Sequence, residues 1–493
     1  MSFSSDFLTW LAAPARRCLL ADVGCKSGGS EITRRLSTVG FVTEPADTPA
    51  STTYNGRISG GLQFTRSLDL SGQGGSINYG DLEIDNEDGA LDSWLGDIWT
   101  NRPITLWMGA PTWPKSQFEV VFVGTIGDIA RKSRSRLALS LRDILAPLNS
   151  TLSTATVGGT GDNATALKPV CLGEAFNVAP ILLDAAGQRY AYHYTGAIGC
   201  LEVRDNGVPA AFTDYPGQGY FDLTNARFGE ITCDAQGVFI DWGGGVFSCD
   251  AAVLIALLAT VVGDGYFVDF NTQFDLTNWW AMHAAYPQNL GAWITQRANR
   301  LQEMQRCAAT IGATVTVSAA GLVRIIPLAF GTPSRTINTR QIVDGSFTPV
   351  WTIRAVGSQR LAGCRNWTPQ VNNLAGSLQT AAQVILTSEW SYATASDSTV
   401  LTDRNQTSDP QAGETLFVDE TDLADETTRR LDLWKVDRMV WGFECLAEML
   451  DVELGDTITV EHPRIAVSGS ATALVVSVAQ NYATARVTLQ VLV

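Results

Sequence analysis

The chain has 493 residues, of which 45% are hydrophobic and 17% are charged, and its formal net charge is −16. A chain of this length is too long to fold around a single hydrophobic core, so three or four domains are expected. The acidic balance argues against a protein that grips nucleic acid through its phosphates. None of the five Lys follows a Gly, which argues against a phosphate-binding P-loop.

Signals for membranes, metals and cofactors are weak. The first residues lack the basic region of a secretory signal, and the longest apolar run, 251–262, has about half the length that a bilayer requires. The nine Cys contain no Cys-x-x-Cys pair, which favours reduced, mostly buried thiols over zinc or an iron–sulfur cluster. We therefore predict no membrane-spanning segment, no metal and no cofactor.

Residues 1–148 are predicted to form a first, mainly β domain. It opens with a helix over 5–13, capped by Ser4 or Ser5 and ended by Pro14. Alternating apolar residues then predict strands, of which the clearest lie at 16–23, 60–70, 104–108, 118–128 and 137–141. Residues 149–164, rich in Thr, Ser and Gly, are expected to be a linker.

An acidic connection at 79–97 lies inside this first domain. It begins as an alternating strand, turns at 86–89, and continues as a short helical turn over 90–95 for which Asp88 is the predicted N-cap. Its Trp94 is expected to dock, so the stretch has the pattern of a structural connector.

A calcium-binding loop fits this connection poorly. With Gly89 at the sixth position of an EF-hand, Ile84 and Leu95 would stand where carboxylates are required. A looser metal site made by three acids remains an alternative: Asp85, Glu87 and Asp88. A solvated or partner-facing acidic turn is the preferred interpretation.

The rest of the chain divides by composition. We predict an inserted β-rich domain at 165–249, ending in the Gly run 243–245, a small α/β domain at 250–335, and a second β domain at 336–493 that contains one helix at 424–435. Helices are predicted at 251–262, 277–286 and 292–311. The last carries an apolar stripe of Ile294, Ala298, Leu301, Met304, Ala308 and Ile311.

The two ends of the chain echo each other. Leu95-Gly96-Asp97 precedes the strand at 104–108, and Leu454-Gly455-Asp456 precedes a strand at 457–460. Each is followed by a Pro-containing loop, a hydrophobic strand, a polar turn and a last strand. The predicted fold class is therefore mainly β and multidomain, α+β overall, with two related β-barrel domains, an inserted β-rich region and a small α/β unit. Chance convergence of two hairpin units is the alternative.

Four stretches resemble parts of a known family: 82–92, 172–178, 202–208 and 454–464. In order and pattern they are similar to the central hub proteins at the tail tip, or baseplate, of long-tailed bacteriophages. The resemblance spans most of the chain, and none of its motifs is a catalytic signature.

The resemblance implies a homotrimer in which two barrel domains per chain form a pseudo-sixfold ring. Such a virion protein, assembled in the bacterial cytoplasm, joins the tail tube or distal tail protein above to a central fibre or tip below, and helps the tape measure protein start the tail. DNA passes through its lumen without tight binding, which an acidic chain suits. The role would be structural and not enzymatic.

Five residues are candidates for contacts between subunits or rings: Asp85, Asp88, Trp94, Asp97 and Asp456. The structural alternative to a hub is a hexameric distal tail protein, which would need only one barrel per chain. The second alternative is a tail protein that binds or cleaves glycans, because acids are plentiful and Trp279, Trp280 and Tyr286 are clustered.

Motifs of zinc proteases and serine hydrolases are absent from the sequence. The three His lie outside any His-Glu-x-x-His spacing, and no Gly-x-Ser-x-Gly elbow occurs. Packed or surface positions are therefore expected for His193, His283 and His462.

Overall fold

The computed structural model describes residues 3–13, 15–61, 63–70, 75–241, 247–465 and 469–493. Pro14 and the Gly run 243–245 lie outside these residues. The fold is mainly β and is built from several sheets, as the alternation of the sequence predicted. Within the described ranges, no helix combines the length and the apolar character that a bilayer crossing needs.

The N-terminal part forms one short helix and a nine-stranded sheet. The helix Ser5–Ala12 begins where the Ser4 side chain accepts a hydrogen bond from the Phe7 amide, and it buries Phe7 and Leu11. In spatial order the strands are Phe41–Val42, Thr53–Gly56, Ser30–Ser37, Cys18–Ser27, Pro103–Gly109, Glu119–Ser133, Arg136–Arg142, Asp81–Asp85 and Ile58–Gly61.

The C-terminal part forms a second large sheet. Along its main path the strands are Thr336–Asn338, Thr457–Glu461, Ser470–Asn481, Arg486–Leu492, Arg438–Cys445 and Thr348–Ile353. Two further strands from the N-terminal part complete it, because Gln63–Leu68 pairs with both Ser470–Asn481 and Gly75–Asn78. The stretch from Ile58 to Leu68 therefore runs from one large sheet into the other.

One hydrophobic core lies between these two large sheets. Phe64 stacks on Phe122 of the first sheet, with ring centroids 4.4 Å apart, and meets Tyr482 of the second at 5.3 Å. Because apolar side chains of both sheets belong to one cluster, the sheets stabilise each other by shared burial. The division of the chain at 148 and 336 stays a prediction.

The middle of the chain carries two smaller sheets, four helices and two hairpins. One sheet orders Val208–Pro209, Gly199–Asp205, Ile231–Gln236, Val170–Val178 and Gly291–Ile294, and the other orders Ile181–Asp184, Arg189–Ala191, Tyr220–Leu223 and Phe212–Tyr215. The helices are Ala251–Thr260, Phe270–Gln273, Leu276–Ala285 and Arg300–Thr310; the hairpins pair Ile240–Asp241 with Phe247–Ser248 and Ala313–Val317 with Val323–Pro327.

A last small unit is inserted between two strands of the second large sheet. Its three strands and three helices are Ser358–Gly363, Ser391–Ser396, Gly413–Glu414, Thr380–Thr387, Ser398–Arg404 and Glu420–Trp434. The helix predicted at 424–435 is thus found, one turn longer at its start, where the Asp419 carboxylate accepts hydrogen bonds from two backbone amides.

The helix predicted over 292–311 is wrong in its first half. Gly291–Ile294 is a fully buried strand that pairs with Val170–Val178, and the helix begins only after Asn299, whose side chain caps it. A short apolar run does not show by its periodicity whether it is a strand or a helix. The apolar stripe therefore extends from the helix back through Ile294, which belongs to the strand.

The predicted capping role of Asp88 is also wrong. The short helix there is a 3₁₀ turn over Asp92–Gly96, its N-cap residue is Leu91, and no side chain caps it. The Asp88 carboxylate binds Arg57 through both oxygens and accepts a hydrogen bond from the Ala90 amide at 3.1 Å, which lies before the 3₁₀ turn.

Candidate functional site

The two large sheets contain the same four-strand arrangement in the same register. We call Asp81–Asp85, Pro103–Gly109, Glu119–Ser133 and Arg136–Arg142 the first unit. We call Arg438–Cys445, Thr457–Glu461, Ser470–Asn481 and Arg486–Leu492 the second unit. In each, a strand leads through a 3₁₀ turn and Leu-Gly-Asp to the next strand, then a long strand and a last one, all antiparallel.

Cross-strand pairs fix how the units correspond. In the first unit Leu139 pairs with Leu82 on one side and Ile129 on the other. In the second unit Leu489 pairs with Phe443 and Val478. One register irregularity lies at the corresponding place in both long strands, between Ile126 and Ile129 and between Val475 and Ser477, and the first unit has a second one between Arg131 and Ser133. The echo read from the sequence is therefore a structural correspondence of strand order and register.

The outer edge of the long strand is covered in the second unit. Gln63–Leu68 pairs antiparallel with 477–481, with Arg66 opposite Val478 and Thr65 opposite Ala479. A buried ion pair lies under this pairing. Arg66 donates from Nη1 to Glu453 Oε2 at 2.6 Å and from Nη2 to Gln480 Oε1 at 2.9 Å.

Electrostatics at this covered edge favour the charged form of both partners. The side chains of Arg66 and Glu453 are only 2% and 5% exposed. Burial favours the neutral acid, yet the Arg66 guanidinium holds the pKa of Glu453 below its ordinary value. Arg66 and Glu453 are 387 residues apart in the chain, so sequence reasoning had no local signal for this pair.

The corresponding edge of the first unit is open. Residues 127–133 of the long strand pair with Arg136–Arg142 on one side, and the described part of the chain places no strand along the other. Asp128 and 130–133 are exposed. The strand Thr348–Ile353 is a second open edge: among the described residues it pairs with Arg438–Cys445 alone, and its first five residues are exposed.

The predicted interface residues of the acidic connection are partly engaged within the chain. Arg57 makes two hydrogen bonds to Asp88, of 2.9 and 2.6 Å, and this pairing lowers the pKa of Asp88 to about 2. Asp85 accepts a hydrogen bond from the Glu87 amide at 3.1 Å. Within the described ranges no three acids, His or Cys converge as ligands for a metal, and the Asp88 carboxylate already faces a cation.

Trp94 is covered by a residue that the sequence did not single out. The Arg34 guanidinium lies 4.4 Å from the Trp94 ring centroid and 2.5 Å from the Asp97 carboxylate. Trp94 is buried against Trp99, whose indole N–H donates to the Trp94 carbonyl at 2.9 Å. The expectation that Trp94 docks agrees with this, while its contact with another subunit stays a prediction.

Asp456 lies apart from the other four predicted residues, in the second unit. Its Oδ2 accepts a hydrogen bond from the Glu453 amide at 3.0 Å. Burial, together with the neighbouring Glu453 carboxylate, raises the pKa of Asp456. It supports the turn that carries Glu453, so its position connects it with the covered edge of the second unit.

The three His occupy packed positions. His193 is buried, its Nδ1 accepts a hydrogen bond from the Cys171 amide, and burial lowers its pKa to about 4. His283 lies 2.8 Å from Asp250 Oδ2, and His462 stacks on Phe347 with centroids 3.9 Å apart. Each contact is explained by packing or capping within the fold.

A groove with a volume of about 1190 Å³ lies between the middle sheet and the small inserted unit. Two of the aromatic rings that line it already carry a cation, because Arg365 lies 4.4 Å from the Trp367 ring centroid and 4.7 Å from that of Trp390. The cluster proposed for glycan stacking is divided: Trp279 is buried in the core, while Trp280 is half exposed.

Several solved structures are similar to this one at low identity. Prophage MuSo2 43 kDa tail protein from Shewanella oneidensis has 9% identity and a TM-score of 0.37, over 96% of this chain and 98% of that one. A tail protein from Neisseria meningitidis MC58 has 10% identity and a TM-score of 0.37, over 97% and 96%. A chain of the virion of a native gene transfer agent particle has 12% and 0.40, over 68% and 85%. No protein-family model and no curated sequence matches the chain.

Proposed function

We propose that this chain is a structural protein of a phage tail and that three copies form the central hub of the tail tip or baseplate. The observation that carries the proposal is the duplicated unit: two four-strand arrangements in one chain with the same order and register and one irregularity in common. The resemblance of the four sequence stretches to hub proteins points to the same role.

The duplication has a consequence for symmetry. Closed rings of identical chains are the common form of soluble oligomers. Three chains with two equivalent units each present six similar positions, so a threefold ring can sit against a sixfold tube. A hexameric distal tail protein needs only one unit per chain, and the duplication argues against that alternative.

The charge of the chain suits a channel that DNA passes without sticking. The net charge is −16, and Lys and Arg together number 34 against 50 Asp and Glu. A surface of this sign repels phosphate. In this proposal the protein is part of the virion and is assembled in the host cytoplasm. The tail tube or distal tail protein lies above it, a central fibre or tip lies below, and the tape measure protein is a further partner.

Copy number tests the hub directly. The purified protein, measured by native mass spectrometry, or the ring seen by electron microscopy of tails, is expected to show three copies. Six copies would contradict the hub and favour the distal tail protein. Detectable binding on a glycan array, or hydrolysis of cell-wall glycans, would favour the glycan alternative, which the occupied faces of Trp367 and Trp390 disfavour.

Substitutions in the acidic connection test where subunits or rings contact each other. We propose that Asp85 and Asp88 lie at such a contact, because the Asp88 side chain is 54% exposed even with Arg57 bound. Changing both to Ala should lower the yield of assembled tails while the purified chain stays folded. Asp184 and Asp409 changed to Ala serve as a matched control at other exposed acids. Unchanged assembly with the first pair would contradict this contact.

A further inference from the structure

We infer that the open strand Thr348–Ile353 of one copy pairs antiparallel with the open edge of the long strand, at 128–133, of a second copy. This pairing between chains would be equivalent to the pairing of Gln63–Leu68 with 477–481 inside the chain. It deepens the proposed ring, and rests on it, by naming the two strands that join neighbouring copies.

The correspondence of the two units places the first of these strands. Leu82 corresponds to Phe443, because both pair with the equivalent Leu of the last strand. Four residues earlier, Asn78 pairs with Thr65, and four residues before Phe443, Met439 pairs with Thr352. Thr352 therefore occupies in the second unit the place that Thr65 occupies beside the first.

The same correspondence gives the partner of Thr352. Thr65 pairs with Ala479, one residue beyond Val478. Val478 corresponds to Ile129, so Ala479 corresponds to Ala130. The inferred register between copies thus sets Thr352 opposite Ala130. In the same register, Ile353 faces Ile129 and Trp351 faces Arg131.

Both strands have the surface that such a pairing would cover. In the strand Thr348–Ile353, Val350 and Trp351 are 41% and 45% exposed. An edge strand with exposed apolar residues is a template for pairing with another chain. On the other strand the Arg131 side chain is 43% exposed, although its guanidinium contacts Asp92 at 2.9 Å. A Trp opposite an Arg offers a cation–π contact when the pair is covered.

Charges are complementary one residue further along. In the inferred register Arg354 lies opposite Asp128, and Ser67 opposite Ser477 is the corresponding pair inside the chain. The Arg354 side chain is 71% exposed and shares Asp437 with Arg404, so two arginines face one carboxylate there, and Asp128 is exposed as well. Opposite charges directly across an antiparallel pair stabilise the pairing, whereas like charges destabilise it. A second copy of this chain is therefore the occupant that the edges fit.

Engineered disulfides test the register. The full-length variant Thr352→Cys with Ala130→Cys, oxidised mildly, should give covalently linked copies on a non-reducing denaturing gel. Thr65→Cys with Ala479→Cys is the matched control. It should form a disulfide inside one chain, so two thiols are lost and the protein still migrates as a monomer on the gel. The single variants report any background from the nine native Cys, eight of which are buried.

The outcomes separate the pairing from the ring. A ladder that ends at three linked copies supports both. Three copies by native mass with no more linking than in the single variants overturns the pairing and leaves the trimeric hub. Linked species beyond three copies support the pairing and overturn the ring of three. A chain that stays a single copy at all concentrations overturns both.

Charge reversal gives a second test that needs no new thiols. Asp128→Arg alone should weaken association at least several-fold, because it places two Arg opposite each other. Adding Arg354→Asp should restore most of the affinity. Circular dichroism checks that both variants fold. An unchanged dissociation constant in Asp128→Arg, or no recovery in the double variant, would contradict the inferred register.

Discussion

The first and second units have one architecture but different outer edges. The edge at 477–481 is covered by Gln63–Leu68 of the same chain and is anchored by the buried Arg66–Glu453 pair. The edge at 127–133 carries exposed, mostly polar residues that include Arg131 and Lys132. A charge at a covered edge must be paired with an opposite charge, because it is removed from water. Charges on an open edge remain hydrated and protect the edge from non-specific pairing.

The comparison shows how a duplicated unit can hold one chain together and leave a place for the next. Inside the chain, the joining strand Gln63–Leu68 and the strand Ile58–Gly61 of the first sheet belong to one molecule, so the pairing has no association cost. Between chains, the same pairing must overcome the lost freedom of two molecules. The inner joint can therefore be permanent while the outer one depends on concentration and on its neighbours.

The largest effect should come from breaking the anchor of the covered edge. Glu453→Gln leaves the buried Arg66 without its counter-charge and should lower the free energy of unfolding by about 3–5 kcal/mol. Urea unfolding followed by circular dichroism measures this. Arg66→Met with Glu453→Leu should recover most of the loss, because a buried apolar pair has no charge to compensate.

A surface pair of the first sheet is the matched control for this anchor. Arg102 binds Glu31 through two contacts of 2.9 Å, but their side chains are 26% and 61% exposed. Glu31→Gln should change stability by less than about 1 kcal/mol. If Glu453→Gln proves no more costly than Glu31→Gln, the covered edge is not held by its ion pair.

The two Leu-Gly-Asp segments should respond differently to the same substitution. Gly455 has a φ of +84°, and an added Cβ would overlap the side chain of Ile326. Gly455→Ala should therefore cost about 1–3 kcal/mol through strain and overpacking. Gly96 has open space around its Cα, so Gly96→Ala should change stability by no more than about 0.5 kcal/mol.

Thermal unfolding of both Gly variants compares the two connections directly. Equal unfolding midpoints for Gly455→Ala and Gly96→Ala would contradict this prediction, because the two Gly would then tolerate a Cβ equally well. That packing differs already at the Leu, because Leu454 is 2% exposed and Leu95 is 39% exposed. The sequence motif is shared, but only its second copy is buried.

Local patterns predicted the elements well where period and turn chemistry agree. The helix at the N-terminus, the last strands of both units and their order follow from alternation and from the repeated Leu-Gly-Asp. The helix expected over 292–311 failed, because Gly291–Ile294 takes its strand form from pairing with Val170–Val178, which no local pattern records.

The candidate site was less accessible to sequence reasoning. Trp94 and Asp97 were singled out from their neighbours in the chain, but Arg34, which binds both, is about sixty residues away, and its arrival depends on the fold. The open edges at 127–133 and Thr348–Ile353 are also invisible locally, because an edge is defined by which strand is missing beside it.

The smallest effect should separate the two Asp of the repeated tripeptide. Asp97 pairs with Arg34, so Asp97→Asn should cost about 1 kcal/mol or less at neutral pH. Asp456 has a raised pKa, because it is buried and lies beside Glu453, so Asp456→Asn should be neutral or stabilising at pH 7.

The pH dependence of Asp456→Asn gives the sign. A raised pKa means that the folded protein holds the proton more tightly than the unfolded chain does. The stability from this group is therefore fully present below the ordinary Asp pKa of about 4 and is lost as the pH rises through the raised value. Asn has no proton to lose, so the stability of Asp456→Asn relative to the natural chain should increase between pH 4 and pH 7, as measured by urea midpoints. If the stability difference between Asp456→Asn and the natural chain is constant from pH 4 to pH 7, the pKa of Asp456 does not rise on folding. Burial beside Glu453 would then have no effect on the titration of Asp456.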